Sequence, residues 1–437
     1  MSVLEDLLGP RRGFDGGLFL PDFKAVTSRR PIETMPATSP LRVPLTARGD
    51  LATHIEVRRG DEVRRGTTLA SRAAAEAVAV HAPTSGRIVD IDRAWTAAGG
   101  FVDCAVLEPD GRNEAAARRT SWSSESLLQH LADHGVVSPS PTCPGHVLLQ
   151  SIGASGASDL IINAMETEPY LASDLRTLVE QPGRLIDMTC ELADALGAHR
   201  VIFALPHRHQ RVVRRIRAEA YGRLIDVVTL SERYPQCHPI MLAKSLLDRE
   251  VPPGGTVLDV GAAVLPLAFI RAGADAWFDD RPVTHAVVTV SGDAVARPGV
   301  YRVPIGTTVR SLAEYVGVAE GAQKAVSGGP LTGIALHRDD TVVTAVTTAI
   351  LFFQTDRVES PVPCVRCGWC VEDCPVGVDP AELFQLEAQQ SFEVRHRLGL
   401  SACIDCGLCS HVCPAALPLS AAIWRCRSLV GDSPEAS

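Results

Sequence analysis

Near the C-terminal end of the chain, eight of its 13 cysteines fall within 50 residues in two matching sets. The first reads Cys364-x-x-Cys367-x-x-Cys370-x-x-x-Cys374-Pro375, and the second reads Cys403-x-x-Cys406-x-x-Cys409-x-x-x-Cys413-Pro414. Three thiolates at this spacing wrap one corner of a cubane, because a tight loop turns each sulfur toward a common centre. In runs of this kind the cysteine before the proline ligates the other of two [4Fe-4S] clusters. The spacing therefore predicts one cluster on Cys364, Cys367, Cys370 and Cys413, and another on Cys403, Cys406, Cys409 and Cys374. Crossed ligation would clamp the two halves together and hold the clusters close enough for electrons to pass. Gly368 and Gly407 let the backbone approach the sulfides. Structural zinc is the competing reading, but zinc takes four ligands in two C-x-x-C pairs and leaves the doubled triplet and the Cys-Pro without a purpose. The other five cysteines, Cys104, Cys143, Cys190, Cys237 and Cys426, lack ligand spacing and read as small buried hydrophobes. This usage belongs to a reducing compartment.

Composition narrows the remainder. A chain of 437 residues with 46% hydrophobic content is too long for one ordinary core and should divide into three or four domains. A net charge of -9 and a pI near 5.8 argue against a nucleic-acid partner, which needs a basic footprint. The longest apolar stretch, Val260 to Ile270, is broken by Pro266 and is far short of the roughly 20 residues of a membrane helix. No transmembrane segment is expected. The N-terminal run MSVLEDLLGPRRGF places acids before its arginines, unlike a secretory signal, so a cytoplasmic location is expected.

Along the chain the patterns change four times. Residues 1–30 read as an ordered, Gly- and Arg-rich lead-in segment. Residues 31–105 hold short alternating strands between turn signals at Gly60-Asp61, Gly66 and Pro83 to Gly86, predicting a small barrel or sandwich. The phrases VRRGDEVRRGTTLA and VHAPTSGRIVDI resemble lipoyl and biotinyl carrier domains, but the span Ser71 to Val80 has no lysine to modify, so its role should be structural. In residues 115–278, strand-like runs (Val147 to Ile152, Leu160 to Asn163, Val201 to Leu205, Leu224 to Leu230) alternate with helical patterns near 183–196, 207–221 and 239–249. That alternation predicts an α/β domain with a largely parallel sheet. Residues 280–352 return to strands at His285 to Val290 and Gly299 to Pro304, with a helix starting near Thr307, as in a β-grasp module. Thr355 to Pro363 is a polar linker into the cysteine domain at 358–430, where a helix over roughly Pro380 to Leu398 joins the two sets.

With these segments in place, almost the whole chain resembles the RnfC subunit of the Rnf ion-translocating electron-transport complex. The resemblance rests on Gly16-Gly17-Leu18 through Pro21 and Lys24, on HAPTSGRIVDI at 81–91, and on LIINAMETEPYLASDLR at 160–176. It continues through Tyr234-Pro235-Gln236, REVPPGGTVLDVG at 249–261, VVTVSGDAVARPGVYRVPIGT, SGGPLTG and both cysteine sets. It implies a multidomain α/β plus α+β fold. The parts are an N-terminal barrel-sandwich hybrid, a Rossmann-type α/β domain like the complex I flavoprotein, an SLBB-like β-grasp domain and a helical two-cluster ferredoxin domain. It also implies a component of an NADH:ferredoxin-type oxidoreductase, with FMN and NADH feeding the clusters, peripheral on the cytoplasmic face of the plasma (inner) membrane. Its partners would be other Rnf-type membrane subunits and a ferredoxin-like subunit.

Residue by residue the match is uneven. Asn163, Glu166, Glu168, Pro169 and Tyr170, followed by Asp174-x-Arg176, fall where that family places its flavin-site loop. The family's run of glycines is replaced by Gly135-Val-Val-Ser138-Pro139-Ser140-Pro141-Thr142-Cys143-Pro144-Gly145, whose three prolines remove the N–H donors a phosphate nest requires. After Tyr234-Pro235-Gln236, Cys237-His238-Pro239 stands where the family has glycine, an acid and lysine. GASGAS at 153–158 is a weak substitute loop and reads as a surface turn. His207, Arg208, Arg211, Arg214, Arg215 and Arg217 read as a solvated helix face. Two alternatives follow: an iron-sulfur relay or scaffold that has lost NADH and flavin binding, and a cobalamin-reductase-like protein, which would pass electrons to a corrinoid. No catalytic side chain is assigned.

Overall fold

The computed structural model describes residues 13–38, 40–46, 53–116, 126–355, 359–387 and 399–430. The first part of the lead-in segment, part of the linker after Thr355 and the end of the helix foreseen over Pro380 to Leu398 therefore lie outside the described residues.

The described lead-in segment includes a turn at 25–29, and just after it a two-residue strand, β1 (Glu33–Thr34), joins a sheet far along the chain. The barrel sandwich follows as two facing sheets. One holds β2 (Leu41–Pro44), β4 (Glu62–Val63), β7 (Gly86–Trp95) and β8 (Phe101–Pro109), and the other holds β3 (Thr53–Ile55), β5 (Thr68–Arg72) and β6 (Val80–His81). Alternating residues close the core between them, with Val43, Leu69, Ile88 and Leu107 all fully buried.

The α/β domain opens with α1 (Leu127–Asp133), a hairpin of β9 (Val137–Pro139) and β10 (Thr142–Pro144), and α2 (Gly145–Ser155). Val147 to Ile152, expected as a strand, is therefore helical. Leu148, Leu149 and Ile152 are its buried apolar residues, a helical spacing that a short apolar run does not distinguish from a buried strand. Next come β11 (Asp159–Asn163), α3 (Ser173–Glu180), α4 (Pro182–Leu196), β12 (Arg200–Pro206), α5 (Gln210–Glu219), β13 (Ile225–Leu230), α6 (Pro239–Leu247), β14 (Ala262–Pro266) and α7 (Leu267–Asp279). The four strands are all parallel in the order β13-β12-β11-β14. Successive crossovers run one way from β11 and then the other. The carboxyl end of β11 is thus a topological switch point, where open α/β sheets form a ligand crevice. The long apolar stretch Val260 to Ile270 is split between β14 and α7 by Pro266.

The β-grasp domain sets β15 (His285–Ser291) antiparallel to β16 (Gly299–Pro304) and parallel to β19 (Ala349–Phe353). β17 (Lys324–Ser327) and β18 (Ile334–Leu336) extend the sheet. α8 (Val309–Val316) is capped by Thr308, whose hydroxyl accepts from the Ser311 N–H, close to the expected start near Thr307. In the cysteine domain, α9 (Trp369–Glu372) and α11 (Leu408–His411) are single turns, and α10 (Pro380–Glu387) packs on α12 (Leu419–Val430). No helix among the described residues is long and apolar enough to cross a membrane.

Candidate iron-sulfur centre and switch-point loop

The two cysteine sets fold alike because their loops share one backbone solution. Gly368 (φ +84°) precedes α9 and Gly407 (φ +75°) precedes α11, while Arg366 and Asp405, two residues earlier, also have positive φ near 53° and 52°. Each loop turns left-handed twice and so presents its N–H groups toward its sulfurs. The Arg366 N–H lies 3.4 Å from Cys364 Sγ, and the Val378 N–H lies 3.3 Å from Cys374 Sγ.

Cys370, Cys374, Cys403, Cys406 and Cys409 line one small cavity, which brings Cys374 against the second set. Cys413 packs with Cys364 and Cys370 on the cluster of Ala415, Leu417 and Leu419. Sulfurs gathered in this way fit a pair of iron-sulfur cubanes. Burial pushes the thiols of Cys403, Cys406 and Cys409 up to about 12. A thiolate at such a position needs a compensating cation beside it, and bound iron supplies that charge.

The sets differ in exposure. Cys367 is exposed beside Val365 and Trp369, which are 63% and 52% exposed. The second set is pressed into the body of the protein. The Tyr234 hydroxyl donates to the Cys406 carbonyl at 2.6 Å, the Gly254 N–H to the Ser401 carbonyl, and a Cβ on Gly407 would come within 2.5 Å of the Leu331 carbonyl. Arg427, on α12, donates to the Cys403 carbonyl and pairs with Asp405. The lead-in segment closes the joint: Gly17 N–H donates to the Asp373 carbonyl, and Leu18 bridges Tyr234.

The loop Asn163 to Tyr170 leaves the end of β11, so it stands where this topology binds ligands. Its polar groups are nevertheless engaged within the protein. Asn163 Nδ2 donates to the Cys237 carbonyl at 2.8 Å. The Glu166 carboxylate accepts from Ser173 Oγ and from the N–H groups of Asp174 and Leu175, which makes it a cap on the start of α3. Glu168 accepts from the Leu331 and Thr332 N–H groups and from the Thr332 hydroxyl, tying the loop to the β-grasp domain. Burial nonetheless holds the Glu168 carboxyl above its ordinary pKa. Lys24 Nζ, from the lead-in segment, donates to the Glu166 carbonyl, and Tyr170 stacks on Phe23 with ring centroids 4.9 Å apart. Cys237 Sγ lies 2.9 Å from the Thr167 hydroxyl, and burial raises its thiol.

The segment Gly135 to Gly145 is the β9-β10 hairpin, with a cis peptide at Ser140-Pro141, and not a nest. Gly145 donates its N–H to the Val136 carbonyl, and His146 Nε2 lies 2.7 Å from the Ala75 carbonyl of the barrel sandwich. The residues present do not fit a phosphate there. GASGAS is equally unsuited, since it is the C-terminal end of α2, with Gly156 in the left-handed cap. Of the basic residues, His207 and Arg208 precede α5, and Arg208 pairs with Asp22 and Glu232. Arg211, Arg214 and Arg215 are exposed on the helix.

Asp174, beside this loop, gives a pH test. Burial, then the neighbouring Glu166, raises its carboxyl pKa from 3.8. A raised folded-state pKa contributes stability that is present below the unfolded value and is lost as pH rises through the folded one. Denaturant midpoints should therefore fall from about pH 4 to about pH 8 in the parent protein, level off above that, and decline less in Asp174→Asn. An equal decline in both would remove Asp174 as the cause.

Comparison with known proteins follows the same divisions. The RnfC barrel sandwich hybrid domain matches residues 12–112, the Nuo51 FMN-binding domain 142–269, the SLBB domain 287–335 and the 4Fe-4S dicluster domain 363–417. The RnfC subunit of the proton-translocating ferredoxin:NAD(+) oxidoreductase complex of Clostridium ljungdahlii is 29% identical over 382 residues, covering 85% of this chain and 84% of that protein. The chain is similar to RnfC subunits along most of its length. The RnfC subunit of the ion-translocating oxidoreductase complex of Salmonella choleraesuis is also 29% identical, over 87% of this chain and 56% of its own length. That of Erwinia tasmaniensis is 29% identical over 85% and 48%. The chain thus spans about half the length of these enterobacterial proteins. Among solved structures, the NAD+-reducing [NiFe]-hydrogenase in its H2-reduced state overlaps 69% of this chain and 60% of the matched chain, with a TM-score of 0.49 and 18% identity. Sequence reasoning placed Glu166 and Glu168 in one loop, which the structure sets after β11, but missed their protein partners. Thr332 lies in SGGPLTG, whose glycines were the signal that a backbone comes close there.

Proposed function

We propose that this chain is the electron-transfer subunit of a membrane-associated, Rnf-type ion-translocating oxidoreductase. It would pass electrons between NADH- and ferredoxin-level carriers through two [4Fe-4S] clusters held by Cys364, Cys367, Cys370 and Cys413, and by Cys403, Cys406, Cys409 and Cys374. The observation that carries this reading is the gathering of Cys374 with Cys403, Cys406 and Cys409 around one cavity, seated on Tyr234. Clusters of this type take up and release single electrons. The protein holds the sulfurs, seats the second set against its body, and leaves Cys367 and Trp369 at the surface, where a redox partner could approach. That partner would be a ferredoxin-like subunit, with membrane subunits beside it on the cytoplasmic face of the inner membrane.

A second reading, favoured by the hairpin at 137–144 and by the engaged carboxylates of Glu166 and Glu168, is a relay that receives its electrons from another protein and holds no flavin of its own. Anaerobic purification followed by iron, zinc and flavin analysis, then NADH addition, separates the two. The relay predicts about eight iron per chain, no flavin and no bleaching of cluster absorbance by NADH. Stoichiometric flavin with bleaching would establish the first reading in full. Zinc in place of iron would overturn both.

A further inference from the structure

Away from the cysteines and the switch-point loop, the barrel sandwich, the α/β domain and the β-grasp domain meet around a cavity of about 1060 Å³. Joints between domains are common places for ligand sites, and a space of this size holds a small organic ligand. Each domain sends an arginine to its wall: Arg65 from the turn between β4 and β5, Arg271 from α7 and Arg302 from β16.

The carboxylates of the wall do not balance these cations. Arg271 and Arg302 share Asp275, at 3.2 and 3.5 Å, and Arg184 reaches the same carboxylate at 3.5 Å. Arg65 is half-buried, and its guanidinium has no hydrogen-bond or ion-pair partner among the described residues. The other acids are taken, Asp133 by Arg72 and Asp280 by His134. Burial, then Glu166, holds the Asp174 carboxyl well above its ordinary range, so it offers Arg271 little charge at neutral pH. Burial, then Arg302, Arg65 and Arg271, lowers the His285 imidazole to about 3, so the same three guanidiniums face one ring in the wall. Like charges gathered in a partly buried place without matching anions are unfavourable, and a bound anion relieves them.

A second observation comes from the barrel sandwich. His81, on β6, lines the same cavity, is 6% exposed, and has no hydrogen-bond partner for its Nδ1 among the described residues. Burial, then His134, lowers its imidazole to about 4, so the ring is a neutral polar group. A buried polar atom without a partner in the wall of a cavity fits a ligand that supplies one.

We propose that Arg65, Arg271 and Arg302 form a binding site for a phosphate-class dianion, with His81 facing the room left for the organic part of a phosphate ester. Guanidinium forks match phosphate oxygens two at a time, which a lone ammonium does not. A phosphate monoester carries about −1.5 to −2 charge at pH 7. That is the charge left over when Asp275 answers only one of the three arginines; a monocarboxylate would answer half of it. The bound anion bridges three domains and touches none of the cysteines, so this site stands independently of the cluster reading.

The test is calorimetric titration of the full chain, purified anaerobically with its clusters in place, with inorganic phosphate and with ribose 5-phosphate in a chloride buffer. Saturable binding of about one anion per chain is expected, and the tighter of the two probes tells whether the site takes free phosphate or an ester. Arg65→Gln and Arg302→Gln should each weaken that binding about tenfold or more with iron content unchanged. Should Arg302→Gln lose its iron through misfolding, Arg65→Gln decides, since it breaks no printed pair. Arg64→Gln removes the same charge from an exposed neighbour that faces Glu114, and should leave binding as it was. No saturable binding of either probe would overturn the proposal. Binding unaltered by Arg65→Gln, or weakened equally by Arg64→Gln, would overturn it as diffuse attraction or a site elsewhere.

Discussion

Cys374→Ser and Cys413→Ser should each leave about four of about eight irons, but should lose opposite clusters. The Cys374 thiol lines a cavity with Cys370 and with Cys403, Cys406 and Cys409 of the second set, so its removal should take away the less exposed cluster of that second set. Cys413, packed with Cys364 and Cys370, should take away the exposed one. The two are distinguishable by access: a bulky external oxidant should bleach the cluster that remains in Cys374→Ser faster than the one that remains in Cys413→Ser. If each variant loses the cluster of its own set, ligation is uncrossed and the clamp between halves is gone.

The second large effect concerns how the cysteine domain is seated. Gly407 and Gly368 occupy equivalent turns at positive φ, so an alanine at either costs about 1–2 kcal/mol for the left-handed backbone alone. Their surroundings differ. A Cβ at Gly368 meets no described atom within 4 Å, whereas a Cβ at Gly407 would stand 2.5 Å from the Leu331 carbonyl oxygen, in the segment that Glu168 holds. Gly407→Ala should therefore push the cysteine domain off the β-grasp domain and weaken the Tyr234 bond to Cys406. Proteolysis across the linker near 355–363 should become fast in Gly407→Ala and stay slow in Gly368→Ala. Equal behaviour of the two variants would mean that the seat does not depend on this contact.

The same pair of glycines shows how far local sequence reaches. Their likeness is legible in the chain because both follow the same cysteine spacing, and the geometry of each cysteine triplet depends on a loop of seven residues. The parallel α/β domain was equally open to reading, since a buried strand and an amphipathic helix each leave a period in the sequence. Val147 to Ile152 was misread for the same reason in reverse: six apolar-rich residues are too few to separate a helix face from a buried strand, and only packing of Leu148, Leu149 and Ile152 into the core settles it.

The three prolines at 139–144 did announce the loss of a phosphate nest, because proline removes N–H donors wherever it stands. The fate of the surviving carboxylates was only partly written locally. Glu166 caps α3 through partners seven to nine residues on, but Glu168 binds backbone 163 and 164 residues away, which no local pattern announces. His134 and Asp280 likewise meet only when α7 brings its end to α1. Spacing thus determined the cysteine sets and the order of modules. Tertiary structure decided which polar groups are occupied, because a hydrogen-bond partner distant in sequence leaves no period or motif behind.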